Sequence, residues 1–329
     1  AVSADKITVQ AQANGDAYGL SVTGADDKIT LTGRQVEIGA SSVNGNAYAM
    51  SAAYVNYNEG APENLINGTA AGDVVTLEAS AANGSAHGMI ALLYTVSGTG
   101  TYYGGKNTID TGAGDDEVII KVSGSTNKGM HAVSRGVNLI STGDGADVDN
   151  INAAGGHATW ANSNGTNRIE TGDGNDTVTI KGSISGPLSL TGKNEIDLGA
   201  DDDKLFLSGG SYDHASFDGG DGVDLLTYKV TDVNSSGSVN DELKVFFESN
   251  TIKNFEELVL DLSGNGTDTL DLTNLLDSLV GQGADLKNTT IKIEGDAADG
   301  INVGTHGNGT INGAYHEYTF NDNGDNITI

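Results

Sequence analysis

Five aspartates recur in a Gly- and Asp-rich pattern between Ile109 and Leu226. In every copy an apolar residue starts the pattern, and the aspartate follows seven positions later. The five are Asp116, Asp147, Asp176, Asp203 and Asp224. Proteins bind calcium with about six to eight oxygen ligands, drawn from carboxylates and carbonyls. One loop offers too few of these oxygens, so the pattern predicts calcium ions between loops that stack in neighbouring coils of a repeat.

Paired glycines precede each aspartate and define the shape of the predicted loops. Glycine takes positive φ values at little cost, so the main chain turns tightly and directs carbonyl oxygens to one point. In the fourth loop Asp201 replaces the second glycine, which adds a carboxylate and is expected to strain the turn. The predicted metal-site residues are Gly112, Gly114, Asp116, Gly143, Gly145, Asp147, Gly172, Gly174, Asp176, Gly199, Asp201, Asp203, Gly220, Gly222 and Asp224.

Turn chemistry alone is the alternative explanation of these loops, because Gly and Asp are common turn residues. Five copies in phase favour bound calcium over plain turns. The best pairs are Asp176 with Asp203 and Asp203 with Asp224, because separations of 27 and 21 residues allow one coil each. The Asp147 loop is suspect, since its apolar strand resumes only at Ile151.

Two further turns lack the glycine pair and are predicted to have kept the turn but lost the ion. They run from Thr23 to Asp27 and from Thr69 to Asp73.

The segments that follow the aspartates alternate between apolar and polar residues, as Val118, Ile120 and Val122 illustrate. A period of two with β-branched residues indicates a strand with one buried face. The pattern Asp-x-apolar-x-apolar occurs eleven times, and self-similarity at this scale indicates a repeat architecture. We therefore predict an all-β fold, a parallel β-solenoid (β-helix or β-roll) with coils of about 20–27 residues. Separations above 40 residues, such as the 43 from Asp73 to Asp116, are interpreted as two coils.

Three regions are predicted along the chain. Residues 1–106 form coils with degenerate loops and an Asn-Gly-x-Ala-aromatic motif, which should stack Tyr18, Tyr48 and His87 in one column. That column is interpreted as a packing ladder or, alternatively, as a strip that binds sugar or a partner. Residues 107–226 form the calcium-binding coils, and residues 227–329 form C-terminal β coils.

Within the last region we expect strands at Asp241–Ser249 and Phe255–Leu262. A short helical turn or capping loop is expected at Leu272–Leu279, and Tyr318–Ile329 could be the final strand.

The composition excludes several classes of function. The 329 residues have a net charge of −29 and no cysteine. That charge argues against binding nucleic acid or an anionic membrane surface, both of which need Lys and Arg. The longest apolar stretch, Met89–Tyr94, is too short for a transmembrane helix, so no membrane insertion is expected. Carboxylates are too widespread for any acid/base pair to stand out, and no His spacing fits zinc, so no enzyme activity is predicted.

The fifth loop, Gly219 to Leu226, fits the pattern Gly-Gly-x-Gly-x-Asp-x-apolar of calcium-binding RTX repeats. The chain therefore resembles the RTX (repeats-in-toxin) family. Asn254–Asn274 and Ile291–Asp296 are also similar to the terminal region of large type I-secreted RTX adhesins.

This resemblance implies calcium as the cofactor, type I secretion, and a location outside or on the surface of a Gram-negative bacterium. It implies a structural or adhesive role, as an RTX adhesin, S-layer or matrix component. The alternatives are a self-assembling filament or lattice subunit and a β-helix protein that binds or processes polysaccharide. The expected partners are calcium ions, cell-surface polysaccharide and copies of the chain itself.

Overall fold

The fold is seen in a computed structural model. It describes residues 1–23, 28–54, 61–93, 104–132, 136–161, 165–185, 193–212, 214–230, 239–263, 269–271, 289–295, 299–302, 310–312, 315–317, 319–322 and 325–328. In these ranges the strands are β1 (Val2–Ser3), β2 (Lys6–Ala13), β3 (Ala17–Thr23), β4 (Lys28–Thr32), β5 (Gln35–Ser42), β6 (Ala47–Tyr54), β7 (Glu63–Asn67), β8 (Val74–Ala81), β9 (Ser85–Leu93), β10 (Lys106–Asp110), β11 (Glu117–Ser123), β12 (Thr126–Ala132), β13 (Val137–Ser141), β14 (Val148–Ala161), β15 (Thr166–Asp173), β16 (Thr177–Ser185), β17 (Lys193–Ala200), β18 (Lys204–Ser208), β19 (Ala215–Asp218), β20 (Leu225–Lys229), β21 (Thr251–Lys253), β22 (Glu257–Asp261), β23 (Thr269–Asp271), β24 (Thr290–Glu294), β25 (Gly300–Asn302), β26 (Thr310–Asn312), β27 (Tyr315–Glu317), β28 (Thr319–Asp322) and β29 (Asp325–Thr328). One helix, α1 (Val239–Ser249), follows β20.

The strands stack into a parallel β-solenoid, which confirms the predicted fold class. One face of the solenoid is the nine-stranded sheet β1-β4-β7-β10-β13-β15-β17-β19-β21. A second face begins as β2-β5-β8-β11-β14-β16-β18-β20-β22. Strands β3, β6, β9, β12 and the second half of β14 pair with one another and form a third face over the first coils. Each aspartate loop lies between the first face and the second.

The core consists of columns of identical or similar apolar side chains. Equivalent residues of the first face are hydrogen-bonded neighbours from coil to coil, and their side chains are 0–2% exposed. They are Ile66, Ile109, Ile140, Ile169 and Ile196. Burial of one such aliphatic side chain contributes about 1.5–3 kcal/mol. The alternation predicted for Val118, Ile120 and Val122 is observed, because all three are buried.

Coil length varies more widely than the sequence predicted. One coil takes 21 residues from Asp203 to Asp224, and one coil takes 43 from Asp73 to Asp116. The interpretation of that 43-residue separation as two coils is therefore wrong. β8 and β11 pair without interruption from Val74↔Glu117 to Ser80↔Ser123, so the extra length enters elsewhere in the coil and leaves the ladder intact.

The C-terminal region differs from the sequence prediction at one element. Asp241–Ser249, predicted as a strand, belongs to helix α1. Leu243, Phe246 and Phe247 follow the helical period and are buried, and Phe246 stacks on Tyr228 with ring centroids 4.0 Å apart. A helix thus covers the core where the glycine loops end.

The remaining C-terminal predictions have mixed outcomes. Strand β22 lies inside the predicted Phe255–Leu262. Near the end of the chain, β28 and β29 form an antiparallel pair, whereas a single final solenoid strand was predicted there. The predicted helical turn at Leu272–Leu279 is outside the described residues. Of the part of the chain that the structure describes, no helix has the length and apolar character to cross a membrane.

Candidate metal centre

The five predicted aspartates form one continuous column at the junction of the first two faces. Each directly precedes a strand of the second face, and each is at most 2% exposed. The main-chain N–H of Asp116 donates to Oδ1 of Asp147 at 2.8 Å. The same 2.8 Å bond joins Asp147 to Asp176, Asp176 to Asp203 and Asp203 to Asp224. The predicted adjacency of these loops is confirmed.

The second carboxylate oxygen of every member lacks a hydrogen-bond partner. Oδ2 is buried and unsatisfied in Asp116, Asp147, Asp176, Asp203 and Asp224. Buried polar atoms in folded proteins nearly always have a partner, because an unpaired one costs about 1–3 kcal/mol. Five such carboxyl oxygens in a row, all in equivalent positions, match the ligand chemistry of a hard cation such as calcium.

The pKa values of these carboxyls show the same lack of countercharge. Burial, together with the charges of Asp176 and Asp224, raises the pKa of Asp203 to about 8. Burial likewise raises the pKa values of Asp147, Asp176 and Asp224 to about 6, and it raises that of Asp116. The hydrogen bonds from the main chain oppose these shifts but do not cancel them.

The loop backbones of successive coils stack closely on one another at the first glycine. The first glycine of every loop has a positive φ, between 90° and 104°. A Cβ atom on Gly143 would lie 1.7 Å from the carbonyl oxygen of Gly112, and one on Gly199 would lie 1.8 Å from that of Gly172. Each carbonyl therefore points along the solenoid axis at a position where only glycine fits. These oxygens could complete the coordination that one carboxylate per coil begins.

Asp201 occupies the position of a second glycine, as predicted, and has a φ of 83°. Positive φ is unfavourable for residues with a Cβ, although Asp tolerates it better than most. Its side chain is exposed, whereas Asp203 two residues later is buried. Asp201 is thus a strained turn residue at the rim of the column.

The Asp147 loop, which was suspect because its apolar strand resumes late, has the same backbone turn as the other loops. Gly143 and Gly145 have φ values of 90° and 152°, as in the other loops, and Asp147 lies in the column. The irregularity is in the core, where Asp149 takes the inward position that Val118 occupies one coil earlier. The apolar pattern after Asp147 therefore resumes only at Ile151, because Asp149 takes the place of an apolar residue.

In the Asp73 turn, which was predicted to lack an ion, the aspartate carboxylate accepts hydrogen bonds from a residue of the same turn. Asp73 accepts a hydrogen bond from the Thr69 N–H at 2.5 Å and one from the Thr69 hydroxyl at 3.1 Å. Its own N–H donates to Asp116 at 2.7 Å, so it occupies the same column. Both Asp73 oxygens are therefore satisfied. The other predicted ion-free turn, Thr23 to Asp27, is outside the described residues apart from Thr23.

Sequence reasoning missed a buried asparagine ladder parallel to the aspartate column. Each side-chain amide donates to the carbonyl oxygen of the next at 2.8 Å, in the order Asn64, Asn107, Asn138, Asn167 and Asn194. The signal was present, because every member stands two residues before a core isoleucine. This ladder ties the same coils together without an ion.

The predicted aromatic column is confirmed and is longer than expected. Stacked rings lie 4.8 Å apart for Tyr18–Tyr48, 5.2 Å for Tyr48–His87, 5.6 Å for His87–His131 and 4.9 Å for His131–Trp160. Tyr18 is 44% exposed, whereas His87 and His131 are buried. Most of the column therefore serves to pack one coil on the next.

Among the described residues, no group of three or more His, Cys, Asp or Glu side chains converges on a possible metal position. A cation in the column would instead take one carboxylate from each coil and complete its shell with carbonyl oxygens. Comparisons of the chain with protein-family models, curated proteins and solved structures find no significant match. The RTX resemblance therefore stays a prediction from the sequence.

Proposed function

We propose that this chain is a calcium-stabilised structural or adhesive protein that works outside the cell and has no enzymatic activity. The observation that supports the proposal is the column of five buried aspartates, each with one oxygen lacking a partner. Five buried carboxylate oxygens without partners would destabilise the folded state. A cation bound from the surroundings would remove this cost.

Calcium would be held by the Oδ2 atoms of the five aspartates together with carbonyl oxygens of the paired-glycine loops. Bound there, it supplies positive charge and a cross-link between successive coils. The chain's own contribution is to hold each carboxylate in place through the N–H of the preceding coil, at 2.8 Å along the column from Asp116 to Asp224. The ligand positions are thus fixed before an ion arrives.

The charge of the chain makes calcium a folding switch in this proposal. With a net charge of −29, the stacked loops repel one another when calcium is scarce. When calcium is abundant, binding to the folded state alone stabilises that state in proportion to the number of sites. This behaviour suits a protein that leaves the cell unfolded and folds outside, as the RTX resemblance implies for type I secretion. An adhesin, S-layer or matrix component would use the resulting rigid solenoid.

Polysaccharide binding is a second candidate, and a groove on the second face favours it. The groove has a volume of about 460 Å³, within the usual range for ligand sites. Its polar lining includes Gln10, Glu78, Lys121, Asn127 and Asn152. Glycan-array binding that a Lys121→Ala variant loses would support this role, and the absence of any retained glycan would remove it.

Thermal unfolding tests the primary proposal. The protein is melted in EGTA and in millimolar calcium at fixed ionic strength, with magnesium at the same concentration as a control. Each site filled at about 100 times its Kd adds about 2.7 kcal/mol, so several sites should raise the melting temperature by many degrees. Simple screening would instead respond equally to calcium and magnesium. Equal melting temperatures in calcium and EGTA would refute the proposal.

A further inference from the structure

One coil differs from its neighbours by a carboxylate in the core. Asp149 of β14 pairs with Val118 in the coil before and with Val178 in the coil after. Farther along the same column the residues are Val75, Leu205 and Leu226. The Asp149 side chain is 0% exposed, and neither of its oxygens has a hydrogen-bond partner.

The surroundings of Asp149 offer no positive side chain. The charged groups that act on it are Asp147, Asp176 and Asp116, all of them acidic. No ion pair among the described residues includes Asp149. An isolated carboxylate in such a place costs several kcal/mol unless it is neutralised. Burial accordingly raises its pKa well above the usual range.

A second group in the same coil also lacks a partner. The Thr142 hydroxyl lies beside the Asp147 carboxyl but makes no hydrogen bond of good geometry. In the flanking coils the equivalent hydroxyls do find acceptors. Thr111 donates to the carbonyl of Thr142 at 3.3 Å, and Thr171 donates to that of Leu198 at 2.6 Å. Of these three hydroxyls only that of Thr142 lacks a partner, and it belongs to the coil that also contains Asp149.

We propose that the coil from Val137 to Ala161 holds a calcium ion on the inner side of its loop, with Asp149 as its principal ligand. The carboxylate of Asp147 and the hydroxyl of Thr142 would be further ligands, and Asp176 of the next coil would add negative charge. This inference rests on the proposed function and deepens it, because it distinguishes one site from the others in the column. The ion explains why a carboxylate stands where five other coils have Val or Leu.

Calcium stoichiometry tests the inference. Ions bound per chain are counted by equilibrium dialysis at saturating calcium for the wild type, Asp149→Val and Asp149→Asn. Asp144→Asn is the matched control, because it removes one charge from the exposed side of the same loop. Valine is found at this position in the flanking coils, so Asp149→Val should fold, which its melting temperature in EGTA verifies.

We expect both Asp149 variants to bind one calcium fewer than the wild type and Asp144→Asn to bind the full number. The same number of bound calcium ions in all four proteins would refute the inner site but would not contradict calcium binding in the aspartate column. A wild-type protein that binds no calcium would overturn the inner site and the proposed function together.

Discussion

The Asp73 turn and the loops from Asp116 to Asp224 occupy the same column, yet only the loops present free oxygens. In the Asp73 turn both carboxylate oxygens accept hydrogen bonds from Thr69. In the glycine loops the main chain turns at positive φ values, and Oδ2 has no hydrogen-bond partner of good geometry. A position in the fold is therefore not enough to make a cation ligand. In the proposed calcium column, the difference is that the loops with glycines leave Oδ2 without the hydrogen bonds that Thr69 gives to Asp73.

The two ends of the solenoid also use different devices to join their coils. The aromatic column runs from Tyr18 to Trp160, whereas the aspartate column runs from Asp116 to Asp224. They overlap only in the coils around Asp116 and Asp147. The early coils thus have aromatic stacking, which the coils after Trp160 lack, whereas the asparagine ladder joins coils in both parts as far as Asn194.

The largest expected effect is a regional loss of structure when calcium is removed. In EGTA we expect amide hydrogen exchange to accelerate strongly between Thr166 and Lys229, where uncompensated carboxylates repel. Strands β5, β6, β8 and β9 should remain protected, because aromatic stacking joins their coils and the Asp73 carboxylate is satisfied by Thr69. Exchange measured by mass spectrometry with and without calcium checks this. Uniform acceleration along the whole chain would contradict the division into two regions.

Single aspartate substitutions should separate the two kinds of turn. Asp203→Ala should lose much of the calcium-dependent rise in melting temperature, because it removes a proposed calcium ligand between two coils. Asp73→Ala should lower the melting temperature by the same amount in calcium and in EGTA, since it breaks hydrogen bonds worth about 1–3 kcal/mol. If Asp73→Ala lost more of the calcium-dependent rise in melting temperature than Asp203→Ala, the proposed difference between the two kinds of turn would be wrong.

The sequence was sufficient to predict the solenoid and the aspartate column because both depend on local periodicity. Alternation around Val118 and the repeated glycine pairs are visible without knowledge of contacts. Coil length was not predictable, because residues inserted between faces leave the ladder unchanged. Helix α1 was read as a strand, although the spacing of Leu243, Phe246 and Phe247 was helical. The role of Asp149 appears only when its coil neighbours, both valines, are known.

A smaller effect is expected from pH in the absence of calcium. Burial raises the folded-state pKa of Asp203 to about 8, so its stabilising protonated form is lost as pH rises through that value. Stability in EGTA should therefore fall between about pH 6.5 and 8, by on the order of 1 kcal/mol. Burial lowers the pKa values of His87 and His131 to about 3 and 2 and that of Lys128 to about 8. The two histidines therefore affect the stability mainly below this pH range, and Lys128 affects it above this range.

Denaturant unfolding at several pH values measures this slope. Asp203→Asn should reduce it in EGTA, and the buried Asp149 carboxyl, whose pKa is also raised, should account for slope that remains. Calcium should abolish the slope in the wild type because the bound carboxylates stay ionised. A slope that Asp203→Asn leaves unchanged would show that another group is responsible.

The smallest effect concerns the strained residue at the rim. Asp201→Gly should stabilise the protein in EGTA by about 1 kcal/mol or less, because glycine adopts a φ of 83° without strain. Calcium-dependent stabilisation should persist, since the Asp201 side chain is exposed. Chemical denaturation of the two proteins gives the difference, and a destabilised variant would mean that the Asp201 carboxylate contributes to the site.

The most direct test of the calcium column is a crystal structure grown in millimolar calcium, with anomalous data collected at long wavelength. Calcium gives an anomalous signal that water and sodium do not match. We predict peaks between successive loops, next to the Oδ2 atoms of Asp176, Asp203 and Asp224. Well-ordered loops without anomalous peaks, with these Oδ2 atoms still unpaired, would contradict the account.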